Sequence, residues 1–236
     1  MDSFYQILEY LPLEYKISSD FIYFQKLLGS TERNLDAKDY HIALVTLHMI
    51  YMGVVYHYIY QLFRSSPKKF DSILIGFHHI LKLKNNENIS WHVFSKIYES
   101  SIFEFYRSLG LKQDVIGGLK SPVNNRNDIL HTNGVYIDSE SVFNERAQNY
   151  LNCLKKIDSA CYENYCKLYK KFLRSVSVSL PDKEEANGYF IDDFIREYGV
   201  SRIACNNLLK LKKIEYPGSR NNTRLFYLVL EDIGIA

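Results

Sequence analysis

The residues best suited to chemistry in this 236-residue chain are Arg126, Asn127 and His131, in the run Arg126-Asn127-Asp128-Ile129-Leu130-His131. Arginine offers a permanently charged planar fork of N–H donors that fits a phosphate. Histidine exchanges a proton near neutral pH. Together they suit phosphodiester cleavage without a metal ion. The bare spacing says little, because 10 arginines and 7 histidines in such a chain give about 0.3 such pairs by chance. Residues five apart on an ideal helix point about 140° from each other, so Arg126 and His131 share a site only where the helix stops near His131. Asn133-Gly134 supplies that stop, since these residues tolerate the left-handed conformation. The competing reading is a plain helix end, with Arg126 paired to Asp128 or another acid and His131 capping carbonyls.

The elements that must position this run read as helices almost everywhere up to Val178. Asp36 stands where an N-cap would open a helix over Ala37 to Phe63; a second helix runs from Ser72 to Lys82, and Ser90 caps a third from Trp91 to Leu109. Lys112 to Val123 reads as a loop because it holds Gly117, Gly118 and Pro122. A short helix from Val123 to His131 follows, then an extended stretch over Val135 to Asp138. A long helix spans Ser141 to Val176, with Phe143, Ala147, Tyr150, Leu151, Leu154, Ile157, Cys161, Tyr165, Leu168 and Phe172 as its apolar stripe.

With those elements around it, RNDILHTNG resembles the signature of the HEPN domains: Arg, a polar residue, three more residues, then His. The resemblance covers residues 35–178 as long helices, and only the motif is specific. It implies an α-helical ribonuclease of a toxin, abortive-infection or CRISPR-linked defence system, dimerising so that two motifs form one cleft. In that reading His131 is the general acid/base on the RNA 2′-hydroxyl or the leaving oxygen. Arg126 holds the scissile phosphate, and Asn127 orients either group. No cofactor or metal is implied, and the partners are an RNA substrate, a second copy and an antitoxin or defence-complex protein. One departure concerns control: HEPN toxins silenced by nucleotidylation of a tyrosine two residues past the histidine need it at position 133, which is Asn133. Other relatives are non-catalytic, so an adaptor in a larger complex is the alternative.

The composition shifts at Ser175 to Gly188, which has serine repeats, Pro181 and a charged run. This divides the chain into a helical domain at 1–178, a linker at 179–188 and a small domain at 189–236. The last reads as a winged helix-turn-helix: a helix over Tyr189 to Tyr198, Gly199 as its stop, and a helix over Ser201 to Lys213. Strands at Ile214 to Tyr216 and Arg224 to Leu230 then flank a turn at Pro217 to Asn222. From Arg202 to Arg224, six cationic residues, Arg202, Lys210, Lys212, Lys213, Arg220 and Arg224, stand against one acid, Glu215. With Ser201, Asn206 and Asn207 they form a candidate DNA- or RNA-binding surface. A regulator that binds nucleic acid through this module is a further alternative, and so is a module used only for packing.

The whole chain is near neutral, with 29 Lys and Arg against 27 Asp and Glu, so any nucleic-acid surface is local. Only 11 glycines and 5 prolines accompany 20 tyrosines and 14 phenylalanines, which excludes a turn-rich β-sandwich and points to a mainly α fold with aromatic packing. Cys153, Cys161, Cys166 and Cys205 lack zinc-site spacing and read as buried thiols of a cytoplasmic protein. Tyr40 to Phe63 carries no Asp, Glu, Lys or Arg, enough to span a bilayer by length. His41, His48, His57, Gln61 and Thr46 within it favour instead a buried core helix or dimer seam, with no membrane partner. The adjacent pair His78 and His79 cannot share one helix face.

Overall fold

The computed structural model describes residues 2–77, 90–130, 136–210 and 220–235. It is mainly α, and no strand occurs among the described residues. The chain runs through α1 (Asp2–Leu8), α2 (Ser18–Asp36), α3 (Tyr40–Ser65) and α4 (Pro67–Leu74). After 3-10 turns come α5 (Glu99–Ile102), α6 (Gln113–Leu119), α7 (Ser121–Leu130) and α8 (Glu140–Ser175). The C-terminal helices are α9 (Lys183–Phe190), α10 (Arg202–Leu209) and α11 (Arg220–Ile235).

The central element is α3. Every residue from Ile50 to Phe63 is buried, and α2, α7, α8 and the 3-10 turn Trp91–Lys96 pack round it. It is the one helix among the described residues long and apolar enough to cross a membrane, and 83% of that window is buried inside the molecule. Its start is Tyr40, because Asp39 rather than Asp36 accepts the Ile42 N–H at 3.2 Å while Asp36 closes α2. The long helix expected at 141–176 is α8, opened by Ser139, whose hydroxyl accepts the Val142 N–H.

Three elements differ from the sequence reading. Lys112 to Val123 is not a loop but α6 and α7. Ile116, Leu119 and Val123 are buried, space is open beside Gly117 and Gly118, and Pro122 lies in the first turn of α7, where a missing N–H costs nothing. The helix expected from Trp91 to Leu109 is broken into a 3-10 turn, α5 and a second 3-10 turn, Phe103–Leu109, although Ser90 does cap its start. Arg224 to Leu230 is helical within α11, burying Phe226, Val229 and Leu230 at helical three- and four-residue spacing. The winged outline therefore lacks its second strand. The expected strand at 214–216 lies outside the described residues, as do His78 and His79.

The C-terminal helices pack closely on α8. Phe172 meets the rings of Phe190, Phe194 and Phe226 at 5.7, 5.3 and 4.8 Å. Within the stretch read as a linker, Leu180 is buried, and Asn222 clamps it: Asn222 Oδ1 accepts from the Leu180 N–H at 3.0 Å and its Nδ2 donates to Val178 O at 2.7 Å. Beyond Phe190 the helix continues through a π-helical turn, Ile191–Arg196, and ends at Gly199, whose φ of +59° is one that side chains resist.

Gly53 lets the ring of Phe24 rest on the backbone of α3. A Cβ there would lie 2.5 Å from Phe24 Cζ, and Phe24 is itself buried. Gly53→Ala therefore sets a helix-propensity gain of about 1 kcal/mol against an overpacking cost of about 1–3 kcal/mol. At this distance the clash wins, so chemical denaturation should show a net loss of up to about 2 kcal/mol; a gain would mean that the ring has room to move.

Candidate functional site

Arg126 lies on α7 with its guanidinium turned toward α5, where Nη2 donates to Glu99 Oε2. The same carboxylate oxygen accepts from His48 Nε2 at 3.0 Å. On the far side of that imidazole, Nδ1 and the Tyr150 hydroxyl are 3.0 Å apart. Four elements, α7, α5, α3 and α8, thus contribute one residue each to a continuous polar chain through the core. Local bonds hold α6 and α7 in place: Asn149 donates to Ser121 at 2.6 Å, Arg146 to Asn125 at 2.6 Å, and the Tyr51 hydroxyl to Leu119 O at 3.4 Å.

Electrostatics fix the proton positions. Burial, which disfavours charge, lowers the His48 pKa; its hydrogen bond and attraction to Glu99 oppose this without overcoming it. Burial would raise the Glu99 carboxyl, but the hydrogen bonds from His48 and Arg126, with the charge of Arg126, outweigh that and hold it below the ordinary value. An ionised carboxylate only accepts, so neutral His48 carries its proton on Nε2, and Nδ1 accepts from the Tyr150 O–H. Burial also raises the Tyr150 pKa, keeping that hydroxyl protonated as the donor.

Asn127, half-buried, follows Arg126 on α7, and the neighbouring Asp128 is exposed. The acid that pairs with Arg126 is Glu99, 27 positions away. His131 lies outside the described residues, as do Asn133 and Gly134. Beyond them the chain is pinned to the first turn of α3: Tyr136 stacks on His41 at 4.6 Å, and the Ile137 N–H donates to His41 Nδ1 at 3.4 Å. Sequence reasoning missed Glu99, His48 and Tyr150. The available signal was the set of histidines in a charge-free buried run, each of which needs a polar partner from elsewhere.

The chain matches no family model, no curated protein and no solved structure.

The residues read as a nucleic-acid surface are distributed over α10 and α11. Arg202 and Asn206 are half-buried, and Lys210 and Arg224 are exposed. Arg220 opens α11, while Lys212 and Lys213 lie outside the described residues. Asn206 faces α11 near Gly234, and Asn207 turns onto α8, donating to Asp158 Oδ2 at 2.7 Å. The start of α10 is covered by the N-terminal segment: Ile203 N–H donates to Glu9 O, and Leu13 N–H to Val200 O. Among the described residues, no group of three His, Cys, Asp or Glu side chains could hold a metal ion.

Two outcomes follow from the polar chain. Removing Glu99 leaves His48 and Arg126 without their acceptor, so Glu99→Ala should cost about 2 kcal/mol in urea denaturation. Adding Arg126→Ala should cost less than the sum of the single changes; strict additivity would mean that the pair does not interact. The second outcome concerns pH. His48 and His57 both have lowered folded pKa values, the latter about 4, so below about 6.5 the unfolded chain binds more protons than the folded one. Their contribution to stability is full above that pH and is lost as pH falls toward 4. The urea midpoint should therefore drop between pH 7 and pH 5, and a flat midpoint would contradict neutral buried imidazoles.

Proposed function

We propose that the chain is a metal-independent endoribonuclease of HEPN type, a toxin or antiphage-defence effector that works as a dimer. The observation that carries this reading is the fixed guanidinium of Arg126, five residues before His131. Glu99 takes one corner of the fork and sets its direction. A guanidinium has five N–H donors, so one carboxylate oxygen leaves donors for a phosphate. In this reading Arg126 holds and neutralises the scissile phosphate, His131 moves the proton, and Asn127 orients either group. Glu99, His48 and Tyr150 are positioning residues that keep the guanidinium from swinging away.

A second copy has an apolar surface to meet beside these residues. Tyr98 precedes Glu99, Met49 follows His48, and Leu130 lies one turn beyond Arg126; all three are exposed, as is Tyr136. Large exposed apolar side chains next in sequence to the residues of the polar chain support an interface there.

The Arg126–Glu99 ion pair also favours a second reading, in which α7 is a structural helix end and the chain is a non-catalytic adaptor. Labelled RNA incubated in EDTA separates the two. The native chain should cleave it, and folded His131→Ala and Arg126→Ala should each lose at least about 100-fold in rate. Activity persisting in both variants would overturn the ribonuclease, and no cleavage by the native chain would leave the adaptor.

A further inference from the structure

A cavity of about 320 Å³ opens between the segment that follows α1, the C-terminal half of α3, Trp91 and residues 196–199. Its lining is aromatic, with Tyr15, His57, Tyr60 and Trp91. The wall is held rigidly. Buried Asp20 accepts from Trp91 Nε1 at 2.7 Å and from His92 Nε2 at 2.6 Å, and His57 stacks on the indole at 4.6 Å.

His57 is the informative residue. It is only 5% exposed, and its Nδ1 lies 2.8 Å from Gly53 O. A carbonyl only accepts, so the ring proton sits on Nδ1 and Nε2 is an unprotonated acceptor. Among the described residues Nε2 has no hydrogen-bond partner, and the imidazole forms part of the cavity wall. Gly199 closes over the ring, where a Cβ would lie 2.9 Å from Cδ2. Burial lowers the His57 pKa to about 4, which keeps the acceptor available at neutral pH.

The charges at the cavity argue against a charged occupant. Lys16 and Arg64 both bind Glu197, at 2.7 and 2.5 Å, and Arg196 sits between Asp192 and Glu14. The three cations of the lining, Lys16, Arg64 and Arg196, are matched by three acids, Glu14, Asp20 and Glu197, so the lining has no net charge to draw in an ion. We infer that the cavity binds a small, uncharged heteroaromatic molecule bearing a ring N–H, of the class of a free purine or pyrimidine base, whose N–H donates to His57 Nε2. The volume suits one such molecule at the small end of the range for ligand pockets.

Trp91 is the only tryptophan in the chain, so its fluorescence reads the cavity directly. The full chain is titrated with benzimidazole, which has a ring N–H, with 1-methylbenzimidazole, which has none, and with adenine. Benzimidazole and adenine should each give a saturable change, with the methylated probe at least about tenfold weaker, because it covers the acceptor on the cavity wall without pairing it. His57→Phe should abolish the difference between the first two probes; where that variant fails to fold, the pair of probes on the native chain still decides. No saturable change with any probe, or equal affinity for the methylated and unmethylated rings, overturns the inference.

Discussion

A helix with almost no exposed face has to bring its polar side chains into the core with it, and α3 carries many. An unmade buried hydrogen bond costs about 1–3 kcal/mol, so most of these groups take a partner, and few can come from α3 itself. Thr46 shares a hydrogen bond with Thr31 of α2, and Tyr51 reaches the Leu119 carbonyl in α6. Tyr58 donates to Asp158 of α8, and Gln61 donates to Gly199 O. Since these partners come from most parts of the chain, satisfying α3 fixes where the other helices lie. Apolar burial supplies the drive to collapse, but it is directionless. The polar tips give the collapse one arrangement.

Asp158 shows the same logic from the other side. It accepts from Tyr58, Tyr165 and Asn207, and burial nevertheless leaves its carboxyl above the ordinary value. One side chain on α8 thereby joins the central helix to α10. The Arg126 centre is built alike, with Glu99 between a cation and a buried imidazole. Two half-buried carboxylates, Glu99 and Glu197, each hold a pair of basic groups and set the direction of an arginine.

What was legible in the sequence depends on range. Periodicity located α3 and α8 to within a few residues, because a buried stripe repeats locally. Gly117 and Gly118 suggested a loop where α6 forms, since tertiary burial of Ile116 and Leu119 outweighs the local entropy cost of glycine. In Arg224 to Leu230 the aromatic and aliphatic run suggested a strand, yet its buried residues fall at helical intervals. The motif gave Arg126 its place on a short helix. Its acid was not legible: Glu99 is 27 positions from Arg126 and 51 from His48, and Tyr150 is 102 from His48. Nothing local marks such pairings.

The π-helical turn at Ile191–Arg196 works as a phase adjuster. A π turn accommodates one residue more than an α-helical turn, so everything after it is rotated relative to an uninterrupted helix by about 100°, one residue's worth. That rotation presents Glu197 to Lys16 and Arg64 and Tyr198 to the Arg64 guanidinium, 5.5 Å above its ring. Excising a single residue from the turn would restore ordinary α geometry and keep the apolar composition. It would also carry Glu197 a quarter-turn and more away from both basic groups, so the junction between the C-terminal helices and α3 is set by a count of residues as much as by their identity.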